Sequence, residues 1–218
     1  MTMRPPWLAG FLGPLLLAAL AAGVGAAPAS APPSIAALVE RDDAAGLRAL
    51  GPRILPELAR LYTRGDVAER TRIANLFYQL SWPSPEAASA LLRDVRTPDV
   101  DLRIAVQYAL GRVSDQPAVV DALLRNMRDD PNPLIRDKAA CALSYDQIFL
   151  SEPEKVRLYE GLIQALESPE PQVRSIAILS LRIHTGQTKG FLPTAPPEKR
   201  RAALARWQSW LGEYKASL

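Results

Sequence analysis

The chain has 218 residues, 48% of them apolar and 6% aromatic, with 26 Lys and Arg against 23 Asp and Glu. The apolar share excludes wholesale disorder. One cysteine excludes a disulfide framework within the chain, and one histidine excludes most zinc and di-iron sites, which need several imidazoles or thiolates.

Residues 1–26 read as a secretory signal peptide. Arg4 supplies the positive start, and Trp7 to Ala22 is apolar with a dense middle from Leu15 to Leu20. Val24 and Ala26 fit the preference for small side chains at −3 and −1, so cleavage is expected after Ala26. The alternative is an uncleaved anchor, because the uncharged run from Trp7 to Ala27 is long enough to span a bilayer. Gly10, Gly13 and Pro14 interrupt that run and favour cleavage. The expected location is periplasmic or secreted, with no stable membrane insertion after processing. Processing leaves 25 basic and 23 acidic residues, a balance that gives no reason to expect nucleic acid as a partner. Residues 27–34 are expected to form a disordered Pro/Ala linker.

From Ile35 the pattern is helical. Ile35–Val39 and Ala44–Leu50 read as short helices at the front. Four segments then share one arginine slot: 66–77, 99–110, 132–143 and 170–181, with Arg70, Arg103, Arg136 and Arg174. Three residues after the arginine stand Ile73, Val106, Ala139 and Ala177. Seven after it stand Phe77, Leu110, Leu143 and Leu181. These offsets trace one helical face. A first helix precedes each segment, at 54–63, 85–95, 118–127 and 153–166. The unit is helix, short turn, helix, about 33–38 residues long. Thr97-Pro98, Asp130-Pro131 and Ser168-Pro169 place a capping side chain and a proline before the later second helices.

Asp130-Pro131 with Leu134, Ile135, Arg136, Ala139, Ala142 and Leu143 resembles a HEAT repeat, and the likeness runs over roughly 35–185. The resemblance implies an all-α fold, a right-handed α-solenoid of about four to five helix pairs. It also implies an acid before the second helix that pairs with an arginine of a neighbouring layer. Only Asp130 stands at the expected place for that acid; Asp66 and Asp99 lie two residues nearer the arginine. The resulting organisation is a repeat array over 35–184, a loop over 185–196 and a capping helix over 197–218. Ala202, Ala203, Ala205, Trp207, Trp210 and Leu211 are the expected buried stripe of that last helix. Thr185-Gly186, Phe191, Pro193 and the Pro197-Glu198-Lys199-Arg200 helix start resemble the tail of exported bacterial HEAT-repeat proteins.

No catalytic, cofactor or metal site is expected. His184 reads as a helix C-terminal residue whose partial positive charge suits the dipole, rather than as a general base. Cys141 reads as a small buried thiol rather than a nucleophile. Asp42-Asp43 and Asp129-Asp130 read as caps rather than calcium ligands. Lys199, Arg200, Arg201, Arg206 and Lys215 make the last helix basic, which suits either an anionic docking face or a solvated outer face. Arg93, Arg96, Arg125 and Arg128 recur at the ends of successive helices and are expected to form a basic stripe for a partner. The function that follows is a non-enzymatic scaffold or adaptor for another protein. The alternative is an enzyme or accessory lyase on the same scaffold.

Overall fold

A computed structural model describes residues 33–218. The expected signal segment and residues 27–32 of the expected linker lie outside the described residues. Ser34 already belongs to a helix start, its hydroxyl accepting from the Ala37 N–H at 3.2 Å.

Among the described residues there are eleven α-helices and no strand. Helices α1 (Ile35–Glu40) and α2 (Ala44–Leu50) come first and pack on the third and fourth elements. The next helices pair along the chain: α3 (Leu55–Arg64) with α4 (Val67–Leu80), α5 (Pro85–Leu92) with α6 (Val100–Val113), α7 (Pro117–Asp129) with α8 (Pro133–Cys141), and α9 (Glu152–Ala165) with α10 (Pro171–Thr185). Helix α11 (Pro197–Ala216) comes last.

The first helices touch in succession, α3 on α5, α5 on α7, α7 on α9 and α9 on α11. The second helices do the same, α4 on α6, α6 on α8 and α8 on α10. Two layers therefore stack into a solenoid-like array around one continuous core. A single pair has nothing to cover its apolar face, so each pair depends on its neighbours. Ile73, Val106, Ala139 and Ala177, with Phe77, Leu110, Leu143 and Leu181, are all fully buried between the layers. Each large side chain among them contributes about 1.5–3 kcal/mol by leaving water.

Helix starts differ from the sequence expectation. Thr97, Asp130 and Ser168 are not the caps. Asp99 caps α6 by accepting from the Leu102 N–H at 2.9 Å, and Asn132 caps α8 by accepting from the Leu134 N–H at 2.9 Å. Helix α10 starts after Glu170 with no side-chain cap. Asp130 and Ser168 instead accept from the N–H two residues on, at 2.9 and 3.2 Å. Those contacts make tight turns, and a second proline, Pro133 or Pro171, opens the helix proper.

Helix α8 ends in a single widened π turn, Ala142–Asp146. Gly111 of α6 makes room for it: a Cβ there would lie 2.7 Å from the Asp146 carbonyl oxygen. In α11 the buried stripe is Ala203, Leu204, Trp207 and Leu211. Ala202 and Ala205 are exposed and Trp210 is half-buried, contrary to expectation. The helix rests mainly on α9, so only a narrow stripe is covered.

Candidate functional site

Each repeat arginine crosses to the next layer. Arg70 Nη1 donates to both Asp94 carboxylate oxygens at 2.9 Å. Arg103 donates to Asp130 at 3.0 Å. Arg136 donates to the Gln172 amide oxygen at 2.6 and 3.0 Å, and Gln172 donates back to the Pro133 carbonyl at 3.1 Å. Arg174 donates to the Pro193 carbonyl at 2.9 Å. The acceptors all lie in or beside the turn of the following layer, so each arginine clamps that turn. Sequence reasoning found Asp130 and missed Asp94. Asp94 stands nine residues before its layer's arginine, because the α5–α6 turn is longer than the α7–α8 turn. The signal available was Tyr62, whose hydroxyl donates to Asp94 at 2.8 Å and is buried beside it.

A second polar cluster lies on the second-helix layer at the π turn. Arg112 Nε donates to Asp146 Oδ1 at 2.9 Å, and its guanidinium sits 4.8 Å from the centre of the Tyr78 ring. Tyr78 meets Tyr108 with ring centres 6.0 Å apart. Burial pushes the Asp146 carboxyl above its ordinary range, and Arg112 opposes that. Burial pushes the Tyr108 phenol up to about 12. The adjacent Tyr145 is 62% exposed, and Ile148 is exposed as well. The side-chain oxygen and nitrogen of Gln147 are buried and have no partner. The π turn thus holds a charged pair rigidly against two tyrosines and leaves an aromatic and an aliphatic side chain in solvent. Arg112 and Asp146 were not legible in the sequence, because the widened turn that unites them has no sequence signature.

The four stripe arginines stand on the first-helix layer. Arg93 lines a groove between α3 and α5, whereas Arg125 and Arg128 line one of about 480 Å³ between α7 and α9. Arg93, Arg96 and Arg125 are exposed and have no carboxylate partner among the described residues. Arg128 is engaged, with two bonds of 3.0 Å to Asp129 and one to Gln164.

His184 stands in the last turn of α10 as expected, but burial disfavours its charged form. Burial lowers its pKa, its Nε2 donates to the Leu143 carbonyl at 2.9 Å, and its ring meets Tyr159 edge-on. Cys141 is only part-buried; burial still pushes its thiol up, away from the reactive thiolate. Asp43 caps α2 and Asp42 takes a left-handed backbone with φ of 54°. Among the described residues no group of three His, Cys, Asp or Glu side chains is placed to hold a metal. Among them, too, no helix is long and apolar enough to cross a membrane.

Residues 55–144 match the family model for HEAT repeats. This stretch is similar to HEAT repeats. It takes in three of the four repeat arginines, with Tyr78, Tyr108 and Arg112. No curated protein matches the chain.

Proposed function

We propose that the protein is an exported HEAT-repeat scaffold that holds another protein and performs no catalysis. HEAT repeats are typically protein-interaction scaffolds. In this reading the chain is a right-handed solenoid of four to five helix pairs, delivered to the periplasm or beyond by residues 1–26. The observation that carries the binding role is the Tyr78–Tyr108–Arg112–Asp146 cluster with solvent-facing Tyr145 and Ile148. Tyrosine and arginine dominate binding hot spots when held rigidly beside apolar surface. The Arg112–Asp146 bond holds the π turn in place, so little ordering is lost on association. The basic residues Arg93, Arg96 and Arg125 supply a second, electrostatic strip on the opposite layer, with Arg128 turned to its own neighbours.

Capture from the native host's exported fraction tests this reading. The wild-type chain should retain a specific partner, and Tyr145→Ala with Ile148→Ser should weaken retention about tenfold or more. A monodisperse chain with measurable turnover and no partner would overturn it. His184→Ala and Asp130→Ala should alter stability alone.

A further inference from the structure

The fourth arginine of the series differs from the other three. Arg70 and Arg103 end on carboxylates and Arg136 on an amide, whereas Arg174 ends only on the carbonyls of Pro193, Ser168 and Pro169. Arg174 is 6% exposed. Burial, and to a lesser degree the Arg200 guanidinium, lower its pKa. Arg200 itself donates only to the Ala195 carbonyl, at 2.9 Å. Neither arginine, nor Arg201, has a carboxylate at ion-pair distance among the described residues.

Beside them opens a cavity of about 170 Å³ where α9, the α10–α11 loop and the start of α11 meet. Leu166, Phe191 and Leu204 line its apolar side, Arg200 and Arg201 its basic side, and Glu167 is its one carboxylate. We propose that this cavity takes the C-terminal residue of a peptide, with an aliphatic side chain against Leu166, Phe191 and Leu204 and the terminal carboxylate on Arg200 and Arg201. The volume decides the size of the occupant. Sites for whole small ligands run from about 300 Å³ upward, so this one suits a single side chain. Charge decides its sign: two guanidinium groups without ion-pair partners match a carboxylate, which arginine can bind through paired N–H donors. The site belongs to the α9–α11 end, away from the π-turn cluster, so either assignment can fail alone.

Calorimetric titration of the full chain with acetylated Gly-Ser-Gly-Ser-Leu tests the assignment, read alongside amide NMR shifts. The free-acid peptide should saturate and move the amides of Leu166, Phe191 and Leu204. The same peptide as its C-terminal amide should bind about tenfold or more weakly, since a charge-assisted pair is lost. Arg201→Gln should cost a similar factor without moving the melting curve, because Arg201 is exposed. Equal binding of acid and amide, shifts confined elsewhere, or no saturation would overturn the proposal. Octanoate offers a carboxylate from another source; tighter binding of octanoate than of the peptide would overturn the peptide assignment.

Discussion

At Gly111 a single hydrogen atom in place of a methyl group decides whether the π turn can close. An added Cβ would meet the Asp146 carbonyl carbon and oxygen at 2.8 and 2.7 Å, and rigid backbone cannot step aside. Gly111→Ala should therefore destabilise the protein by about 1–2 kcal/mol, overpacking outweighing the helix-propensity gain. Gly212 in α11 has nothing within 4 Å of the same position, and Gly212→Ala should stabilise by up to about 1 kcal/mol. Urea melts of the two variants would show the opposite signs. His184 sets a pH dependence. Its folded pKa lies below the ordinary 6.5, so the unfolded chain takes up the proton first as pH falls. The stabilising contribution of neutral His184 is complete above that value and is lost as pH falls through it. His184→Gln should flatten the fall in stability as pH drops below the ordinary 6.5.

Between elements, the arginines join layers that apolar packing alone would let slide. Asp130 is the most buried acceptor, 1% exposed at its side chain, and it also accepts from the Asn132 N–H. Asp130→Ala strands Arg103, whose Nε already lacks a partner, and should cost about 3–5 kcal/mol. Gln172 makes the neutral, more exposed version of the same contact, and Gln172→Ala should cost about 1 kcal/mol. Comparable losses for the two variants in denaturant melts would contradict this account. The order follows from burial: Asp130→Ala strands Arg103 away from water, whereas Gln172→Ala leaves Arg136 nearer water and still bonded to the Asp130 carbonyl.

Over the whole molecule, stability should be distributed along the stack, since each layer meets only its neighbours. Trp207 is fully buried where α11 rests on α9, and Trp210, Tyr214 and Tyr159 continue the aromatic contact, with ring centres 5.3–5.4 Å apart. Trp207→Ala should cost about 3–5 kcal/mol. It should raise hydrogen exchange first in α11 and α9, leaving α4 and α6 protected. Uniform loss of protection across all helices would mean the stack melts as one unit.

The helices, their order and the shared arginine slot were legible in the amino-acid order alone. Helical periodicity and the proline-marked turns are local properties, and the apolar positions three and seven residues beyond the arginine can face only a neighbour. Cap positions were misread because Asp130-Pro131 and Ser168-Pro169 bear the same residues as a true helix start; only backbone geometry separates a tight turn from a cap. What each arginine grips was a tertiary decision. Asp94, Asp130, Gln172 and the Pro193 carbonyl share no sequence offset, and they meet their partners only because the turns differ in length while the layers keep one spacing. The Arg112–Asp146 pair and the basic cavity beside Leu204 arose the same way. Both join residues more than 30 positions apart, and no local pattern encodes such a meeting.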